Sequence, residues 1–312
     1  MVMAVGFLAA ALLMVLWMAA GRIASPDRQV LRDHHREYLD APEKHGLKLS
    51  VSTFLEGRIP TVMAVPDGRS GPGERGKLLR TQLGGVLPKY GEVSGLLVML
   101  HGRNGRKEDL LPAAERFCAA GFACVIPDLP AHGESPIQTV GFGARDFERA
   151  LAGAVADAAK EELGLADLPE FLWGMSMGGS FAIHAAALEP GRWERMVIVS
   201  SFDTLGGVID DSWAGLFRWT LEPMIRARGG AEVGEVTPVA LAAGLRLPSL
   251  VVHGDADELI DESRGRALYA ALAGEKKWLP VPGGTHSNVL VTEAPVYAAM
   301  AEWLRAAFKQ SP

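Results

Sequence analysis

The stretch FLWGMSMGGSFA, Phe171–Ala182, decides how the rest of the chain is read. It opens with a short apolar run, passes through Gly174-Met175-Ser176-Met177-Gly178 with Gly179 directly behind, and continues into good helix formers. That composition predicts a strand, a very tight turn and a helix, with Ser176 at the turn. A serine there takes a strained backbone, and small neighbours are required where strand and helix nearly collide. The helix that follows aims its first amides at the serine, which favours negative charge developing beside it.

Working outward, similar apolar runs recur at Gly95–Leu100, Phe122–Pro127, Arg195–Ser200, Ser249–Gly254 and Lys276–Val281. Each is short and bounded by turn residues, as buried parallel strands are. Helical patterns separate them at Glu108–Ala120, Ala144–Leu163, Ser176–Leu188, Ser263–Leu272 and Ala294–Phe308. The alternation predicts an α/β fold with a doubly wound, mostly parallel sheet. Leu49–Leu55 and Thr61–Val65 read as an early strand pair, and Pro66–Gly76 as a loop. The segment 203–234 breaks the alternation and carries Trp213, Phe217 and Trp219. It is read either as a surface helix with its loop or as a small lid insertion, with Trp213 and Phe217 facing substrate.

A nucleophilic serine needs a base, and the base needs a carboxylate to orient it. Asp257 follows the Ser249–Gly254 run, and His286 follows Lys276–Val281 in the loop before the last helix. Both fall beyond the C-terminal ends of predicted parallel strands, the edge where such sheets place their sites. His286 is the only histidine after Asp257, which makes it the candidate base. Asp255 and Asp203 are rival acids. His101, His132, His184 and His253 read as structural or packing residues, and His34 and His35 as part of a connector.

These motifs resemble the α/β-hydrolase superfamily, in the style of the monoacylglycerol lipase and lysophospholipase-like group. The resemblance rests on the Ser-Met-Gly-Gly elbow, Leu100-His101-Gly102, Asp128 to Ser135, His253 to Asp257 and Gly284-Thr285-His286. It covers roughly residues 49–309. It implies a serine esterase working through an acyl-enzyme on Ser176, with His286 as base and Asp257 as the orienting acid. It also implies backbone N–H donors for the oxyanion at Arg103 and Met177. Arg103 stands where many relatives carry an apolar residue, and Arg103, Arg106 and Lys107 are expected on a solvated loop, with contact to an anionic headgroup or carboxylate as the alternative. Peptidase, amidase and acyltransferase chemistry use the same triad. A non-catalytic binding relative is a further alternative, though such relatives often lack a triad member.

Residues 1–21 carry no charged side chain. As a helix they would extend about 30 Å, the thickness of a bilayer core. They are read as a transmembrane anchor, with a cleaved signal peptide as the alternative. Residues 22–46 are read as a connector and 47–312 as the hydrolase domain. Arg22, Arg28, Arg32 and Arg36 all follow the span, so the positive-inside rule puts the domain in the cytoplasm. A signal peptide would instead export it. The net charge of −6, with no basic block, argues against nucleic acid as a partner. No cofactor and no metal are expected, and the expected partners are an ester substrate, small or lipid-derived, and the membrane.

Overall fold

The computed structural model describes residues 2–85, 87–291 and 295–309. Met1, residues 310–312 of the expected hydrolase domain and Ala294, the expected start of the last helix, lie outside them. Helix α1 spans Val2–Ala24 and α2 spans Asp33–Asp40. Strands β1 (Leu47–Thr53) and β2 (Ile59–Pro66) follow, joined by a tight turn in which Leu55 and Glu56 adopt left-handed backbone. Helix α3 (Glu74–Leu83) occupies sequence that begins inside the expected Pro66–Gly76 loop. Then come β3 (Gly95–Leu100), α4 (Leu111–Ala119), β4 (Phe122–Pro127), α5 (Asp146–Leu163), β5 (Glu170–Met175), α6 (Met177–Leu188) and β6 (Trp193–Val199). The segment 203–234 contains α7 (Leu205–Asp210) and α8 (Arg218–Ala227), and α9 (Pro238–Ala242) leads back to β7 (Ser249–Gly254). The chain closes with α10 (Glu262–Ala271), β8 (Lys276–Val281) and α11 (Val296–Arg305).

The eight strands form one sheet in the order β1-β2-β4-β3-β5-β6-β7-β8. Pairings β1–β2 and β2–β4 are antiparallel, and all others are parallel. Strands β3, β4 and β7 are buried along their whole length because helices cover both faces of the sheet. Alternate residues of β3 show this: Leu96, Val98 and Leu100 join one core cluster, while Leu97 and Met99 join the other. The first cluster includes Leu151 of α5 and Ile183 of α6; the second includes Phe117 of α4 and Met300 and Leu304 of α11. Cys118 and Cys124 are buried free thiols of this second layer. All the parallel strands run the same way, so the loops after β3, β5, β6, β7 and β8 collect at one edge. That edge carries every candidate site residue named above except those of the lid.

Candidate active site

Ser176 stands between β5 and α6 with φ 53° and ψ −119°, a conformation that L-residues adopt only under constraint. The surroundings supply that constraint. The Ser176 N–H donates to the Val199 carbonyl of β6 at 2.8 Å, and the Ser201 hydroxyl donates to the Ser176 carbonyl at 2.8 Å. The flanking glycines are dictated by packing. A Cβ on Gly174 would lie 2.3 Å from the Gly178 carbonyl oxygen, and one on Gly178 would lie 1.9 Å from that of Leu100. The elbow thus fits only because two backbones touch where side chains would otherwise stand.

Asp257 and His286 meet across the loops after β7 and β8, with His286 Nδ1 2.8 Å from Asp257 Oδ2. The other carboxylate oxygen accepts the N–H groups of Leu259 and Ile260, at 3.1 and 2.9 Å. Burial pushes the Asp257 carboxyl up, but the His286 contact, the Ile260 N–H and the proximity of His253 outweigh it. The net result holds Asp257 below the usual carboxylate range. The rivals are engaged elsewhere: Asp255 accepts the Gly283 N–H at 2.7 Å, and Asp203 pairs with Arg264 at 3.3 Å. His253 is buried, donates from Nε2 to the Ile260 carbonyl and is held neutral by burial.

The His-Gly loop after β3 closes over the elbow. His101 Nδ1 lies 2.8 Å from the Gly102 carbonyl, while Nε2 accepts the Leu129 N–H at 3.0 Å, so its tautomer is set by the loops it joins. Gly102 lies against Ser176, close enough that a Cβ there would sit 3.4 Å from the serine Cβ. His132 bonds the Pro130 carbonyl and packs edge-on to His101; burial and that neighbour push it down to about 3. Arg106 and Lys107, expected on a solvated loop, are buried instead. Lys107 Nζ reaches Asp128 at 2.9 Å, Glu134 at 2.6 Å and Glu108 at 3.1 Å, and Arg106 Nε reaches Glu108 at 2.6 Å. The cluster locks the loop after β3 to the loop after β4.

Ser176, Asp257 and His286 line one cleft of about 730 Å³, together with Met177 and Arg103. The serine hydroxyl makes no hydrogen bond to the imidazole in this arrangement; such contacts commonly close only when substrate is bound. The rest of the wall is mainly apolar, from Phe142, Phe202, Leu205, Val208, Ile209, Leu259 and Ile260. The expected lid contacts, Trp213 and Phe217, are not in this wall, and Trp213 is 58% exposed. The segment 203–234 turns α7 toward the cleft instead, and Leu205, Val208 and Ile209 recur at helical spacing that sequence could have offered as a signal. Ile23, at the end of α1, also lines the cleft. No motif pointed to it. His35, read as an uninformative connector residue, is buried and lies 2.7 Å from Asp109.

Residues 91–232 match the family model described as serine aminopeptidase, S33. The chain is 27% identical over 238 residues to a monoacylglycerol lipase of Mycolicibacterium smegmatis, covering 62% of this chain and 81% of the relative. It is 29% identical over 239 residues to a pimeloyl-[acyl-carrier protein] methyl ester esterase of Xanthomonas campestris, covering 62% and 88%. Among solved structures it is similar to an esterase of Pyrococcus furiosus, with TM-score 0.62 and 14% identity over 91% of this chain and 98% of the other. A monoacylglycerol lipase of Paleococcus ferrophilus gives TM-score 0.53 at 20% identity, covering 69% and 96%.

Proposed function

We propose that this chain, a member of the α/β-hydrolase superfamily, cleaves carboxylic esters through an acyl-enzyme on Ser176. The observation that carries the reading is the 2.8 Å His286–Asp257 pair, sharing a cleft with a serine on a strained elbow. Ser176 Oγ attacks the acyl carbon while His286 Nε2 takes its proton. The tetrahedral oxyanion is held by the backbone N–H groups of Met177 and Arg103. His286 then delivers the proton to the leaving alkoxide, and water repeats the sequence to release the acid. Asp257 keeps the proton on Nδ1, so that Nε2 is free to accept, and it stabilises the imidazolium. Each oxyanion donor contributes on the order of 10²–10³ in rate.

An acyl substrate suits the apolar wall. Peptide hydrolysis is the second reading, favoured by the description of the family model. An aminopeptidase needs a free carboxylate for the substrate ammonium. Of the cleft's acids, Asp211 is held by Arg264 and Asp261 caps α10, which leaves the exposed Glu258 as the carboxylate that this second reading would use. Helix α1 is long and apolar enough to cross a membrane, and in this reading it is an uncleaved anchor with the hydrolase domain in the cytoplasm. Parallel assays on p-nitrophenyl esters and aminoacyl p-nitroanilides test the choice. Ester turnover that is lost in Ser176→Ala supports the proposal; anilide cleavage without ester cleavage overturns it.

A further inference from the structure

The end of α1 is fastened to the hydrolase domain rather than left as a tether. Arg103 Nη2 donates to the Arg22 carbonyl at 2.7 Å, and the Val140 N–H donates to that of Ala24 at 2.9 Å. Just beyond, Arg28 donates to the carbonyls of Gly133, Ser135 and Ile137, and Arg106 donates to that of Gln29. Within the helix, Leu16, Ala20 and Ala24 form a buried stripe at i, i+4, i+8, and α1 packs on α8. The Trp17 ring lies under the Arg228 guanidinium at 4.9 Å. This fastening sets Ile23 into the wall of the cleft that holds Ser176.

The exposed face of α1 stays apolar alongside the buried stripe, through Val15, Trp17 and Met18. A membrane-inserted α1 therefore carries hydrocarbon down to its docked turns. The lid next to it exposes Trp213, Leu216 and Trp219, and tryptophan suits that depth. We propose that the last turn of α1 is the acyl-chain wall of the cleft, with Ile23 a specificity-determining residue, and that the substrate is a bilayer-resident ester whose chain enters along α1. This rests on the serine-esterase reading above.

The test uses the full chain in detergent micelles, with p-nitrophenyl acetate and p-nitrophenyl laurate. Ile23→Trp should lower kcat/KM on laurate about tenfold or more while acetate changes less than twofold. Ile23→Ala, the milder change, should raise KM for laurate severalfold and leave kcat in place. Val15→Trp, on the exposed face of α1, should alter neither substrate. Equal losses on both esters, or no loss on laurate from either Ile23 variant, overturn the proposal. Acetate turnover by the unmodified chain separates the two claims: without it the esterase reading fails, and with it an unmoved chain-length profile sinks only this one.

Discussion

Asp257→Asn isolates the role proposed for Asp257, because the structure fixes how the new amide must lie. Oδ1 accepts two backbone N–H groups, from Leu259 and Ile260. The asparagine oxygen must keep that place, since an NH₂ there would face two donors. The amide NH₂ then points at His286 Nδ1, where the carboxylate oxygen now sits at 2.8 Å. A donor in that position forces Nδ1 to accept and moves the imidazole proton to Nε2. The base is thereby locked in the tautomer that cannot take a proton from Ser176. Loss of the correct tautomer costs about 10⁴ in kcat in a Ser-His-Asp site. Because the two backbone bonds survive, the melting temperature should fall by only a few degrees. Stopped or steady-state hydrolysis of p-nitrophenyl acetate reads the first effect and calorimetry the second. Asp255→Asn and Asp203→Asn should each retain kcat within about threefold. A kcat for Asp257→Asn within tenfold of the unmodified enzyme, or a larger loss at either rival, would refute the tautomer argument.

Three further outcomes follow from the same geometry. Gly178→Ala forces a Cβ to 1.9 Å from the Leu100 carbonyl, so the elbow must shift; urea unfolding should show a loss of about 3 kcal/mol or more. Lys107→Met removes the cation paired with the buried Asp128 carboxylate, while Glu108 keeps Arg106, and should cost about 3–5 kcal/mol in the same assay, against under about 0.5 kcal/mol for the exposed Lys77→Met. Burial pushes His132 down to about 3 and lowers His101, His184 and His253 as well. Between that value and the unfolded pKa of about 6.5, the unfolded chain binds the extra proton, so stability rises with pH. Lowering pH from 7 to 5 should cost roughly 2 kcal/mol through His132 alone, and His132→Gln should flatten that share of the slope.

How much of this was legible in the sequence depended on whether a residue's partner was local. The elbow is a local event, and its glycines stand where neighbouring backbones forbid a Cβ, so Gly174-x-Ser176-x-Gly178 announced itself. The strands of the parallel sheet were legible because each is a short run of six or seven residues, and β3, β4 and β7 are buried on both faces. The burial of Lys107 was not, because two of its three counter-charges, Asp128 and Glu134, lie twenty-one and twenty-seven positions away. The aromatics of the segment 203–234 drew attention to Trp213 and Phe217 by size, whereas the wall is built by the smaller Leu205, Val208 and Ile209 on α7. Helix α1 reads as separable because nothing in its hydropathy reports a docking face. The stripe of Leu16, Ala20 and Ala24 is hidden among residues equally apolar on every side.

Labelling with a fluorophosphonate, followed by peptide mass spectrometry, reaches the central claim most directly. The adduct should sit on the Ser176 peptide, vanish in Ser176→Ala and form at least a hundredfold more slowly in His286→Ala. Stoichiometric labelling at another residue, or an undiminished rate without His286, would contradict an acyl-transfer site built on this serine.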